Sequence, residues 1–332
     1  MLQYLKTVGV NSNVASGRGF NYPYGTAISS DQRLFVLTRA NPLFGKGIRI
    51  QICTIDDQWI GEFSSGPGTG DDQFVVPVSM SFDNKDHLYV TDESLNEVKI
   101  FDRDGVFLQK WGNPLPNGHI LNGPAGIAHA SDGSVYLVEQ GMNRINKLSE
   151  SGELLASWGK GGSANGEFNL PWGITLDAEN RVYVADWRND RIQQFTEDGE
   201  FIQSFCETGD LDGQLYRPSD VAVDGNGMIA IADWGNERVQ VLHPDGSLSQ
   251  VLYGESTLSK WAIEWLDSNV DQREARLNST QVATKLPKQF QNNYHRASQS
   301  ESLFWGPVAV VFDSNNRLYV TEHSRHRLQI FE

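Results

Sequence analysis

The sequence predicts an all-β fold, a six-bladed β-propeller of four-stranded antiparallel blades. Three observations predict it: a repeat of 47 residues, strands in fixed register inside each period, and a first segment that supplies a strand missing from the last period. The repeat is anchored by Pro23, Pro77, Pro124, Pro171, Pro218 and Pro307, spaced by 54, 47, 47, 47 and 89 residues. An apolar residue stands three positions before each proline (Phe20, Phe74, Leu121, Phe168, Leu215, Phe304). A polar one stands fifteen positions after it (Thr38, Asp92, Glu139, Asp186, Asp233, Glu322). Self-similarity at such a period marks a repeat architecture, whose units bury their faces against one another.

Each period reads as four strands. In the fourth copy, Gly173-Ile174-Thr175-Leu176-Asp177 alternates up to a turn, and Arg181 to Asp186 is a β-branched and aromatic run. Arg191 to Phe195 follows, and Asp198-Gly199 turns the chain into Glu200 to Phe205. The same x-Gly turn recurs at Asp104-Gly105, Ser151-Gly152 and Asp245-Gly246, as a constant hairpin register requires. Four antiparallel strands repeated radially make a propeller blade. The last copy ends at Glu332, before its fourth strand. Leu2 to Gly9 resembles the fourth strands Val106 to Gly112 and Glu153 to Gly159, so the N-terminus is expected to complete the last blade and cover its edge.

The chain is therefore expected to be one propeller over 1–332, interrupted at 255–303. There Leu258, Trp261, Ala262, Trp265 and Leu266 recur at helical spacing, a short helix is expected around 271–276, and polar material ends in Tyr294-His295-Arg296. Blade 1 carries a smaller insertion, Arg39 to Gly47. Strand direction puts both insertions on the face where first strands begin and second strands end. The longer one is expected to form either a helical pad packed on the blades with its tryptophans as core or a lid there, the lid because long loops in compact domains are more often functional than accidental.

With 42 acidic residues against 27 Lys and Arg, the net charge of −15 opposes binding to nucleic acid or to an anionic membrane. No apolar run reaches the ~18 residues of a spanning helix. The first residues lack the pattern of a signal peptide. Two cysteines, Cys53 and Cys206, make neither a disulfide scaffold nor a metal motif, and they fall in blades on opposite sides of the ring. A cytoplasmic monomer is the expectation.

Two sets of positions on the insertion face carry the candidate chemistry. Fifteen residues after each proline stand the carboxylates Asp92, Asp186 and Asp233, a candidate Ca²⁺ set because that ion takes oxygen ligands, together with Glu139 and Glu322, which depart from the aspartate of the repeat. Local capping by hydrogen bonds is the competing reading of the aspartates. One residue later come Arg39, Glu93, Gln140, Trp187, Trp234 and His323. His323 beside Glu322 is the best general-base arrangement, with Glu139 and Arg39 completing a candidate catalytic wall. Tyr24, Trp172, Trp187, Trp234 and Trp305, beneath Trp261 and Trp265, would give an aromatic mouth suited to an organic ligand.

Blocks such as Pro171-Trp172-Gly173-Ile174, followed by Val182-Tyr183-Val184-Ala185-Asp186-Trp187-Arg188-Asn189-Asp190-Arg191-Ile192-Gln193, resemble NHL repeats, and the resemblance covers essentially the whole chain. It implies the propeller and leaves function open. Propellers similar in look include the peptidyl-hydroxyglycine amidating lyases, whose Pro-His zinc block is replaced here by Tyr24, Val78, Ala125, Trp172, Ser219 and Val308. They also include gluconolactonases and paraoxonases with channel-bound Ca²⁺, near one of whose ligand positions Asp220 falls. Their Glu-Gly-Pro block and channel asparagines have no clear counterpart. Two classes follow from this reading. One is a hydrolase or lyase acting on a small lactone, ester or phosphotriester, Ca²⁺-assisted or not; the other is a non-catalytic ligand- or protein-binding scaffold.

Overall fold

A computed structural model describes residues 1–332 except 13, 15, 40–46, 65, 113 and 279–286. Six four-stranded antiparallel sheets follow one another around an axis; in the first five the strands run from inner to outer along the chain, and the sixth takes its outer strand from the N-terminal segment. The inner strands begin at the six prolines or just after: Pro23–Ile28, Pro77–Phe82, Pro124–His129, Pro171–Leu176, Asp220–Val223 and Pro307–Phe312. Tyr4–Val8 is the outer strand of blade 6 and pairs antiparallel with Arg327–Phe331, Thr7 facing Gln329 and Val8 facing Leu328. No helix among the described residues is long and apolar enough to cross a membrane.

Neighbouring sheets pack face to face. Phe35, Leu37, Ile50 and Ile52 of blade 1 meet Met80, Leu88 and Val90 of blade 2 in one buried cluster. The hairpin glycines belong to the same packing. Gly199 has φ 87°, and a Cβ there would come within 2.4 Å of the Trp158 ring that ends blade 3, so both the turn and the contact require glycine.

Two hydrogen-bonded devices recur around the ring. The first is the carboxylate ending the second strand. Asp186 accepts from Asn169 N (2.8 Å), Asn189 Nδ2 (2.8 Å), Arg191 Nε (2.9 Å) and Gln193 Nε2 (3.1 Å), and Asp233 is held by Tyr216, Asn236, Arg238 and Gln240 in the same way. The second device joins blades. A residue in the left-handed region, one before the third strand, accepts the backbone N–H just ahead of the next proline. Asn96 takes Gly123 N, Asn143 takes Leu170 N, Asp190 takes Arg217 N, Glu237 takes Gly306 N, and His326 Nδ1 takes Tyr22 N at 2.9 Å to close the ring. Between blades 1 and 2 the equivalent residue is Ile48, which has no acceptor, and Val76 N turns to Asp92 of its own blade.

The long insertion forms three helices, α1 (Lys260–Ser268), α2 (Val270–Asn278) and α3 (Asn293–Gln299). Tyr294-His295-Arg296 is thus helical, capped by Asn292, whose side chain accepts from His295 N. Trp261 is 2% exposed; it packs on Phe20 and donates from Nε1 to Asp57 O at 2.5 Å. It belongs to the cluster of Val8, Leu34, Cys53 and Leu328, so α1 is seated in the seam between blades 6 and 1. Most of the blade 1 insertion expected at Arg39 to Gly47 lies outside the described residues.

Deleting residues 1–9 should expose Leu328 to Phe331 as an apolar edge, causing aggregation or a large fall in melting temperature; unchanged melting would refute closure by this strand. Burial pushes His326 down from 6.5 to about 4. Between those values the unfolded chain takes up a proton that the folded ring refuses, so stability is whole above pH 6.5 and declines as pH falls toward 4. His326→Asn keeps an acceptor, as at Asn96 and Asn143, and should flatten that decline in denaturant titrations at pH 5 and 8. His326→Ala orphans the Tyr22 amide and should cost about 1–3 kcal/mol at pH 8, and less at pH 5, where the natural protein has already lost part of its stability to the histidine.

Candidate functional site

The inner strands line a narrow channel, and above it a wider cavity opens on the insertion face. The cavity holds about 310 Å³ between Tyr24, Trp172, Trp187, Ser219, Trp234, Val308 and His323. Position within the repeat explains this set. Tyr24, Trp172, Ser219 and Val308 directly follow their prolines, while Trp187, Trp234 and His323 directly follow the second-strand carboxylates. Trp172, Trp187 and Trp234 form a chain of tilted rings with centroids 6.5 and 6.4 Å apart. Tyr24 and Trp172, from opposite blades, meet across the axis at 6.3 Å, and both line the cavity and the channel of about 160 Å³ below it.

His323 packs edge-on against Tyr24 and tilted against Tyr22. Burial first, then His326 and Arg39, pushes it down to about 4, so it is neutral at pH 7. On the other half of the mouth Arg39 stacks over Tyr24 and donates to Glu93 (2.8 Å), whose second oxygen accepts from Gln140 (2.5 Å). The mouth therefore has an aromatic side on blades 4 to 6 and a hydrogen-bonded polar side on blades 1 to 3.

Several expected site residues lie elsewhere. Glu322 and Glu139 are fully buried and do not face the cavity. Arg327 and Gln329 donate to Glu322, as does Trp305 N (3.1 Å); Arg144 (2.8 Å), Asn146 (2.7 Å) and Asn122 N (2.9 Å) donate to Glu139. The Glu322–His323 pair is therefore not a dyad, and both glutamates do what Asp186 does. Asp92, Asp186 and Asp233 sit in three separate blades with their oxygens filled by N–H donors, an arrangement that cannot present them jointly to Ca²⁺. Asp92 alone accepts from Val75, Val76, Ser94 and Leu95. Trp261 is inside the seam. Trp265, half exposed, lines a groove with Val10, Leu258 and Arg325, and Trp305 packs under Tyr294 and Arg325. None of the three lines the cavity, and no described residue of the insertion is part of its wall. The sequence did hold a signal for this. Arg144, Arg191, Arg238 and Arg327 stand five residues after the carboxylates, and an amide two residues later.

Asp220 is in the channel. It is enclosed by protein and touches free space only there; Val310 N donates to it at 3.0 Å, and its other oxygen lies so close to Gly173 that a Cβ there would come within 2.2 Å. Burial raises its carboxyl from 3.8 to about 7. The folded protein thus holds a proton that the unfolded chain gives up above pH 4, and the stability this contributes is present at low pH and lost as pH rises through 7. Asp220→Asn should raise the melting temperature at pH 8 and change it little at pH 4. Glu139→Ala should cost about 3–5 kcal/mol by stranding the Arg144 charge, measured by denaturant unfolding.

A model of the NHL repeat matches residues 168–195, 215–242 and 304–331. These span blades 4, 5 and 6 from the apolar residue before each proline to the third strand, where carboxylate, arginine and glutamine are all present. No curated protein sequence matches the chain. A solved streptogramin B lyase is 13% identical with a TM-score of 0.56, over 98% of this chain and 96% of its own. Virginiamycin B lyase from Staphylococcus aureus is 13% identical with a TM-score of 0.55, over 100% and 98%. A protein of unknown function from Bacteroides thetaiotaomicron is 14% identical with a TM-score of 0.62, over 99% and 75%. At these identities the likeness is one of fold. The chain is a six-bladed β-propeller whose last three blades match the NHL repeat.

Proposed function

We propose that the protein binds a small, flat organic molecule in the cavity between Tyr24, Trp172, Trp187, Trp234 and His323. The observation that carries this reading is the run of three indoles opening onto a cavity of about 310 Å³, with Tyr24 meeting Trp172 across the axis. Aromatic walls with a few polar groups suit a ligand that is itself largely apolar and planar. Binding is favoured over hydrolysis on chemical grounds. The Ser219 hydroxyl donates to Val308 O (2.9 Å), the two glutamates are committed to arginines, and a histidine titrating near 4 is a weak base at neutral pH.

A second reading, elimination by a lone base, is supported by His323 being neutral on the cavity wall. A histidine-to-alanine variant of virginiamycin B lyase, a propeller of similar fold whose structure was solved with quinupristin, is described as catalytically inactive. Titration with a panel of planar aromatic compounds should quench tryptophan emission, and Trp187→Ala and Trp172→Ala should each weaken binding about tenfold. Absence of binding across the panel, or binding untouched by both substitutions, would remove the cavity as the site. If the protein turns over an ester, lactone, phosphotriester or elimination substrate, His323→Ala should lower turnover about 10²-fold. Full activity of that variant would remove His323 as the base, and no turnover across these substrates by the natural protein would leave binding as the function.

A further inference from the structure

Charge is distributed unevenly at the cavity mouth. Arg188 follows Trp187, and Arg217 stands two residues before Ser219; their guanidinium carbons lie 5.5 and 5.1 Å from the Trp187 ring. Among the described residues neither side chain makes an ion pair or a hydrogen bond. The carboxylates that approach this part of the ring are committed otherwise. Asp186 is held by Arg191, Asp190 by the Arg217 amide, and Glu93, across the mouth, by Arg39 and Gln140. In a chain of net charge −15, two uncompensated cations thus lie against Trp187, one wall of the aromatic cavity. A guanidinium lying on an indole keeps its edge donors free, in the planar fork that matches a carboxylate or phosphate.

Resting on the cavity reading above, we infer that the ligand is a planar aromatic anion: its ring lies among Trp172, Trp187 and Trp234, and its carboxylate or similar oxyanion meets Arg188 and Arg217 at the rim. A cationic ligand would meet like charge there, and a neutral one would leave both arginines facing water.

Calorimetry with the intact protein and three probes sharing one ring system tests this: 2-naphthoate, 2-naphthamide and 2-naphthylmethylammonium. The naphthoate should bind about tenfold or more tightly than the amide, as charge-assisted hydrogen bonds allow, and the cation more weakly still. Its advantage should shrink with added salt. In Arg188→Gln/Arg217→Gln, at positions where substitution leaves the core intact, acid and amide should bind alike, while Trp187→Ala should weaken all three. Equal binding of acid and amide to the natural protein would overturn the anion preference and leave the aromatic site standing. An advantage that persists in the double arginine variant would overturn the assignment to these residues. Failure of all three probes to bind would overturn both the preference and the cavity reading beneath it.

Discussion

A buried carboxylate ends the second strand in five of the six blades, and the ring depends on how each is satisfied. An ionised carboxylate removed from water is tolerated only when paired and hydrogen-bonded. Here the partners are drawn from three places: the backbone N–H just ahead of the inner strand, an arginine on the third strand and an amide two residues further along. Arginine extends the reach. Beyond Asp186, Arg191 donates to Ala164 O and Glu167 O in the connection from the previous blade, and Arg238 does likewise to Leu211 O and Gln214 O. One charge pair thus fixes a strand end, the start of its neighbour and the loop between blades. The exceptions follow the same logic. Thr38 bonds Gly47 O and Arg49 O instead, while Arg49 pairs with Glu62; Asp92, with Glu97 where an arginine would stand, relies on backbone amides.

That scaffolding leaves adjacent positions free to differ. The residue after each second strand, and the residue after the proline in blades 1, 4, 5 and 6, face the mouth, and they are where the blades diverge. Arg39, Glu93 and Gln140 occupy them on one side, Trp187, Trp234 and His323 on the other. Fixed positions supply shape and variable ones supply chemistry, which is how a common fold comes to hold a particular site.

The architecture was legible because proline spacing, strand alternation and hairpin glycines all report backbone register, and a ring multiplies each signal six times. The aromatic wall was legible for the same reason. The role of Glu139 and Glu322 was not, because their departure from aspartate suggests novelty while register says nothing of where a side chain turns. Arg144 with Asn146, and Arg327 with Gln329, were the clue, since each glutamate travels with the partners that bury it. Likewise the spacing of Trp261 and Trp265 marks an apolar stripe on a helix without saying what will cover it. The seam between blades 6 and 1 took the first indole and left the second half exposed.

Tyr24 and Trp172 meet across the axis at the level where the cavity gives way to the channel. A molecule seated among the indoles lies on the mouth side of that narrowing, so its wide route to and from solvent passes the rim. Residues there act on both directions of exchange, and a group that hastens capture by attraction also slows release.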